Sequence, residues 1–545
     1  MKKNTFMQGA VIATLSIVIS KVLGIIYVIP FYSLIGEQGG ALYGYAYSIY
    51  GLFLNLSTAG IPLAISKITS EYSALNQNYL KEKSYSIAKY LMCGLGILGF
   101  LIIIFFAPSI AQIFIGDITG GNTKEDVAFV IRVISTALLI VPILSVTRGY
   151  LQGHKFITPP SVSQVIEQFV RVIIIVIGSF LCLKVFKLSL TITIGVAVFS
   201  ATISALVAYV YLKVTVRKNK KDLEVGKEIS EDENKITTKD LTFKLLSYAI
   251  PFILIDFVSS MYSFVDLSTI NKTMVSLGYP ISEAESVISI LTTWGSKLNV
   301  IVMAIASGMI VSLIPNIASS YVTKNYKDVR DKINEALQSL IFVVLPMTVG
   351  LSLISKPIWT VFFGSSSELG PLVFSYSIFT AFTLSIFNVT MSTMHSLGYS
   401  KMVILTLGSG LITKVLINVP FIKLFNYLGL HPSYGVITST ILANIVAILF
   451  NALFLKRKLQ IKYNETIKKF LRTLLPLIGM IIVVLVLRQF IPYTDSRVFS
   501  LIYSFIYALV GGLTYLFISI KTNLLYDIFG KDIMNKVLLK LKKSK

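Results

Sequence analysis

Glu167 and Arg171 stand one helical turn apart in RGYLQGHKFITPPSVSQVIEQFVRV (148–172), a stretch that runs on into the apolar IIIVIGSFLCL. At i, i+4 spacing the two neutralise each other on one helix face, so they read as a support or gate. Two cations lack such a neighbour. Lys21 lies in ISKVLGIIYVIPF and Lys297 in TTWGSKLNVIVMA, each without an acidic residue within a turn. An ionisable group in hydrocarbon costs about 3 kcal/mol on insertion scales and so faces a partner or a wet cavity. For Lys21 snorkelling is a second reading, because Lys2 lies toward the near end of the same span, about 28 Å away along a helix. Near Lys297 the polar residues Thr292, Ser296, Asn299 and Ser307 recur at helical spacing. Asp256, Ser259, Ser260, Ser263 and Asp266 form another polar stripe, which serves equally well as glue between helices. A cavity lined by Lys and Arg selects anions, and phosphate is the anion that membranes carry.

Catalysis finds little support. No Gly-rich phosphate loop, zinc-ligand spacing or nucleophile motif occurs, and His154, His395 and His431 sit in short loops away from carboxylates. A transferase working on a lipid-linked sugar would need acid–base or metal chemistry near the membrane surface. No catalytic or metal-ligating residue is therefore assigned, and no cofactor is expected beyond a sodium ion or proton used for coupling. A non-catalytic membrane scaffold remains the other alternative.

The elements that must position these residues follow from composition. Of 545 residues 54% are hydrophobic and 14% charged, with a mean hydropathy of +0.77. That is the profile of an all-α integral membrane protein, since a crossing helix needs about 20 apolar residues. About fourteen apolar segments are expected, centred on 7–35, 42–66, 88–115, 127–147, 160–183, 189–212, 246–268, 287–315, 336–363, 371–394, 402–422, 434–455, 473–490 and 498–520. The start, MKKNTFMQGAVIATLSIVIS, has the charge of a signal peptide but no small-residue cleavage site, so it reads as a retained first span. An even number of crossings puts both termini on one side. With that side cytoplasmic, 36 of the 49 Lys and Arg fall in inner segments and six in outer loops, as the positive-inside rule requires. The net charge of +23 is thus largely topological, and its expected partners are anionic membrane lipids rather than nucleic acid.

Weak internal repetition organises the chain further. APSIAQIFIG (107–116) matches SKPIWTVFFG (355–364), and LNQNYLKEKSYSIAKYL (75–91) matches YVTKNYKDVRDKINEAL (321–337). Gly60 pairs with Gly308, Gln152-Gly153 with Leu397-Gly398, and Arg171 with Lys414. Two six-helix lobes related by a pseudo-twofold axis along the membrane normal are therefore expected, followed by two extra helices. The boundaries are an N-lobe at 1–212, a charged cytoplasmic linker at 213–245, a C-lobe at 246–455, the last two spans at 456–521 and a basic cytoplasmic tail at 522–545. Pro30, Pro62 and Pro315 are expected to kink their spans. Pro62 and Pro315 fall at near-equivalent places in the two halves, where bent helices point to a gate.

AGIPLAISKITSEY (59–72), the fifth-span stretch quoted above and the order of spans resemble the MurJ-type lipid II flippases, in the branch that includes SpoVB-like spore-cortex proteins. These belong to the multidrug/oligosaccharidyl-lipid/polysaccharide exporter superfamily. The resemblance covers essentially the whole chain and implies a monomeric transporter in the bacterial cytoplasmic membrane. Its cargo would be undecaprenyl-pyrophosphate carrying a disaccharide-pentapeptide, moved from the inner to the outer leaflet by alternating access. Lys21, followed by Leu23-Gly24, matches the family's basic residue on the first span, and Lys297 matches the one on the eighth. Both are implied pyrophosphate contacts. Many members carry a second Arg near the position of Tyr27, and this chain does not. Some relatives bind sodium between the seventh and eleventh spans, which implies Asp256 and Asn418 as coupling-ion candidates, although the eleventh span has no carboxylate. A flippase for another lipid-linked polysaccharide or teichoic precursor, and a cation or drug antiporter of the same superfamily, are the alternatives. An antiporter for cations calls for cavity carboxylates, whereas the isolated membrane charges here are mostly basic.

Overall fold

The computed structural model of the chain describes residues 6–58, 60–116, 120–220, 222–223 and 236–530. All regular structure among them is helical. Twelve helices are long and apolar enough to cross a membrane, and a bent pair supplies a thirteenth crossing, against the fourteen or so expected. The bent pair is α1 (Phe6–Ile26) and α2 (Val28–Thr58), which meet at 50°. The cause is Pro30, which has no N–H to give the carbonyl of Ile26 four residues earlier. Within α2 the helix breaks again at Gly36, whose φ of 62° and ψ of −159° are not helical. The boundary expected between the first two spans, after residue 35, thus coincides with this break at Gly36.

Two compact units divide the chain between Thr293 and Trp294. The first continues with α3 (Ile61–Ala74), α4 (Asn78–Ile115), α5 (Lys124–Ser135), α6 (Val141–Gly153), α7 (Thr158–Ile173), α8 (Leu190–Lys218), α9 (Thr238–Ser276) and α10 (Ile281–Ser289). It extends beyond the linker that separates the repeat-based lobes, because α9 is fastened to the helices before it. Lys244 Nζ lies 2.8 Å from Glu71 Oε1. Asn271 Nδ2 donates to Tyr45 Oη at 2.6 Å and to the Phe114 carbonyl at 3.2 Å. Of the linker, residue 221 and residues 224–235 lie outside the described residues.

The second unit contains α11 (Gly295–Val322), α12 (Tyr326–Leu353), α13 (Ser355–Phe363), α14 (Leu369–Ser396), α15 (Ser400–Tyr427), α16 (Ser433–Leu459), α17 (Asn464–Phe490), α18 (Arg497–Lys521) and α19 (Leu524–Phe529). The two extra helices, α17 and α18, enclose a core with α12 built on Phe342, Met480, Val484, Tyr507 and Tyr515. Arg472 ties α19 to α17 through Asp527 at 2.7 Å. This short helix occupies the beginning of the segment read as a basic tail, and residues 531–545 lie outside the described residues.

Backbone conformation carries the internal repetition better than the side chains do. Asn76 and Lys324 both take φ near 57°, and Gly116 and Gly364 end their helices at φ 70° and 84°. In each pair the members are 248 positions apart. The third match shifts by two residues: Lys155, not Gly153, adopts the left-handed conformation of Gly398, at φ 65° and 84°. Gly153 remains inside α6. The hydrogen bonds agree, since Phe156 N–H reaches back to Leu151 and Tyr399 N–H to Met394. The sequence match was drawn to a shared glycine where the shared feature is the turn.

Candidate functional site

The RGYLQG motif is first a packing device. Helices in lipid gain nothing from hiding apolar surface from each other, so small residues and polar links must hold them together. Gly149 and Gly153, four apart on α6, put the backbone of α3 in van der Waals range: a Cβ on Gly149 would meet the Pro62 carbonyl at 2.3 Å, and one on Gly153 the Ser66 carbonyl at 2.6 Å. Ser70 Oγ donates to the Gly153 carbonyl at 2.8 Å. On its other side α3 reaches α9, where a Cβ on Gly60 would meet the Ala249 carbonyl at 2.2 Å. Pro62 therefore corrects the expected kink. It occupies the first turn of α3, where an N–H would have no helical acceptor and proline fits without bending the helix. Pro315 falls within the helical run Gly295–Val322, and its side chain lies outside the described residues.

The same motif supplies a residue that sequence reasoning had left in a cytoplasmic loop. Glu167 pairs with Arg171 at 2.5 Å as its spacing implied, and its other oxygen accepts from Arg148 at 2.9 Å. Arg148 Nε also donates to Ser163 Oγ at 2.8 Å, and that hydroxyl donates to the Pro160 carbonyl at 2.6 Å. The two prolines that open α7 thus hold the turn that orients Arg148. One carboxylate between two guanidinium groups leaves a net positive charge. Arg171 Nε is buried without a hydrogen-bond partner among the described residues, as are Tyr47 Oη and Ser20 Oγ. Tyr43, Tyr47 and Tyr50 of α2 are electrostatic neighbours of Arg171.

Helix α1 packs along α7, and a Cβ on Gly24 would touch Gln168 Nε2 at 3.4 Å. Lys21 stands one turn before Gly24 on the same face of α1. It is half-buried and makes no hydrogen bond or ion pair with another described residue. The first unit thus gathers a free ammonium, a net-positive triad and unused polar groups on α1, α2, α6 and α7. The net charge of these groups is positive, and they form no proton-transfer or nucleophilic pair among the described residues.

In the second unit Lys297 is half-buried in the first turn of α11, directly after a π-helical turn over Ile290–Trp294. The polar stripe around it divides by role. Thr292 Oγ1 only turns back onto the Ile288 carbonyl of its own helical run at 2.7 Å, while the adjacent Thr293 Oγ1 donates across to the Gly40 carbonyl of α2 at 2.9 Å, within the first unit. Asn299 keeps a buried side-chain oxygen without a hydrogen-bond partner among the described residues. Of the other stripe, Ser259 and Ser260 turn back onto carbonyls of their own helix, that of Asp256 included.

Lys414, the repeat partner of Arg171, is fully buried. The position answering Glu167 at the same offset is Gly410, and the ammonium is held by oxygens instead. It donates to the Val436 carbonyl at 3.3 Å, Ser439 Oγ at 3.2 Å and Thr440 Oγ1 at 2.5 Å. Ser439 in turn donates to Asn418 Oδ1 at 2.5 Å. Asn418 thus lies behind a lysine, and Asp256 belongs to the other unit. Glu285 escaped sequence reasoning because α10 has no other feature of a site. It is fully buried, accepts from Asn122 N–H at 2.9 Å, and leaves Oε2 without a partner among the described residues.

Comparison with known proteins places this arrangement. Residues 6–305 match the family model described as polysaccharide biosynthesis protein. The lipid II flippase MurJ of Bacillus subtilis (strain 168) is 34% identical over 539 residues, covering 97% of each chain. Among solved structures, a lipid II flippase MurJ in an inward-closed conformation superposes with a TM-score of 0.68 at 19% identity, over 94% of this chain and 99% of that one. An inward-facing multidrug resistance MATE transporter of the MOP superfamily gives 0.63 at 13% identity, over 82% and 99%. The fold is thus that of the MOP transporters, and by end-to-end sequence identity the chain belongs to the MurJ family of polysaccharide biosynthesis proteins.

Proposed function

We propose that this chain moves lipid II from the inner to the outer leaflet of the bacterial cytoplasmic membrane by alternating access, as a transporter and not an enzyme. The observation that carries this reading is the 34% identity to the lipid II flippase MurJ along 97% of both chains. The positively charged polar groups on α1 and α7 support it, because the invariant part of such a cargo is a pyrophosphate. Lys21 and Lys297 are our choices for pyrophosphate contacts. The Arg148–Glu167–Arg171 triad holds α6 and α7 in register and keeps a positive field beside Lys21, as a support or gate within the first unit. Both termini are cytoplasmic, the protein acts as a monomer, and its basic inner surface rests on anionic lipids. A coupling cation is best sought at Asp256, since at Asn418 it would meet the ammonium of Lys414, which donates to the same Ser439 hydroxyl.

The test uses a bacterium depleted of its own lipid II flippase and expressing this chain. An enzyme added from outside cleaves the lipid II that has reached the outer leaflet, and the released product is quantified. Restored cleavage together with restored growth supports the cargo. Membrane expression without cleavage rejects it and transfers the search to another lipid-linked polysaccharide or teichoic precursor.

A further inference from the structure

A cleft of about 640 Å³ opens in the second unit among α12, α14, α16 and the start of α17. Its volume lies within the roughly 300–1,000 Å³ of small-molecule sites. Leu337, Ile386, Leu449 and Leu453 wall it, and Lys456 and Lys462 stand at its rim. The polar groups along the walls are already satisfied by the protein. Thr390 Oγ1 donates to the Phe387 carbonyl at 2.9 Å and accepts from Asn451 at 3.2 Å, and Tyr463 Oη donates to the Ala452 carbonyl at 3.3 Å. The interior therefore suits hydrocarbon, while the rim presents two exposed ammonium groups.

We propose that this cleft is a binding site for one anionic phospholipid, with an acyl chain between α14 and α16 and its phosphate between Lys456 and Lys462. Position favours a lipid over a soluble ligand: the walls belong to membrane-spanning helices, and the rim sits where α16 ends at Leu459 and α17 begins at Asn464. That end carries seven of the inner basic residues between Lys456 and Arg472, so it faces the cytoplasmic leaflet. Lys462 also lines the neighbouring cleft, where Asp331, Glu335 and Glu465 offset Lys327, Arg330 and Lys469, whereas no carboxylate lines the side that Lys462 shares with Lys456, so charge favours a phosphate on that side. The lipid fills a gap that helix packing leaves open and anchors the α16–α17 connection. The site is separate from the residues assigned to the cargo, so its occupancy does not depend on which precursor is moved.

The experiment is native mass spectrometry of the full chain, delipidated in mild detergent and titrated with phosphatidylglycerol or with phosphatidylcholine of the same chains. Wild type should retain phosphatidylglycerol with clear preference. Neutralisation should weaken binding about fivefold for Lys456→Gln or Lys462→Gln alone and about thirtyfold for both, given the typical contribution of a basic residue near a charged membrane surface. Lys456→Arg with Lys462→Arg should keep binding, and so should the equally charge-changing Arg457→Gln with Lys458→Gln. Leu449→Trp should lose the lipid with every charge intact, which keeps the test open if the glutamine variants unfold. Equal retention of phosphatidylcholine, undiminished binding by a folded Lys456→Gln/Lys462→Gln protein, or displacement of the phospholipid by equimolar undecaprenyl phosphate would each overturn the assignment.

Discussion

Pro62 presents its carbonyl oxygen to Gly149 so closely that a Cβ on the glycine would sit 2.3 Å away. Backbone lies on both sides of this contact, so a side chain cannot be accommodated by turning a rotamer. Gly149→Ala must push α6 off α3, and overpacking of this kind costs roughly 1–3 kcal/mol. The expected result is a lower unfolding temperature in detergent. Gly94→Ala, where a Cβ would meet nothing within 4 Å, should leave that temperature unchanged or raise it. Equal melting of the two variants would show that the close approach is not what holds these helices.

The shared carboxylate makes an unequal prediction for its members. Glu167→Gln leaves two guanidinium groups facing each other; the pair is partly buried, so the loss should fall below the roughly 3–5 kcal/mol of a fully buried one. Arg148→Gln removes one cation and leaves Glu167 with Arg171 still 2.5 Å away, so the loss should be smaller. Thermal unfolding of the two single variants and the double variant measures the coupling. The double variant should be more stable than Glu167→Gln alone. Additive losses would mean that Arg148 and Glu167 act independently.

What sequence alone could read here follows from range. Apolar segments, loop charge and the Glu167–Arg171 spacing are properties of a short window; that pair and most of the long helices lie where the windows put them, while the window at 42–66 runs across the break before α3. Arg148 is 19 positions from Glu167, and only the turn through Pro160 and Ser163 brings it back, so it looked like one more positive-inside residue. Pro62 was read as a kink because the window could not see that Gly60 starts a new helix. Lys414 looked like Arg171 by repeat position. Whether such a cation meets a carboxylate or a cage of hydroxyls depends on a neighbouring helix. The assignment of α9 to the first compact unit rests likewise on long-range contacts such as Asn271 with Tyr45.

Gly36 offers a test of the broken helix. Its φ of 62° is left-handed while a Cβ would meet nothing within 4 Å, so any cost of substitution comes from the backbone. Gly36→Ala and Gly36→Asn should each destabilise by about 1–3 kcal/mol, because φ 62° with ψ −159° lies in a region that essentially glycine alone occupies, outside the left-handed helical well that asparagine tolerates. Thermal unfolding ranks the three proteins. If alanine matches glycine, the helix straightens at this position and the break is dispensable.

Lys297 and Thr293 lie four residues apart in sequence, and their substitutions should separate binding from bracing. Thr293→Ala removes a buried hydrogen bond to the Gly40 carbonyl and should cost about 0.6 kcal/mol, the average for such links in a membrane protein. Flipping, measured by cleavage of surface lipid II in the depleted strain, should survive it. Lys297→Ala should do the opposite, abolishing surface cleavage and growth while the protein stays in the membrane and melts normally. Lys297→Arg should retain part of the activity, since it keeps the charge but replaces a compact ammonium with a planar fork. Normal growth on Lys297→Ala alone would remove Lys297 from the cargo site and leave Lys21 and the Arg148–Glu167–Arg171 cluster to account for anion recognition.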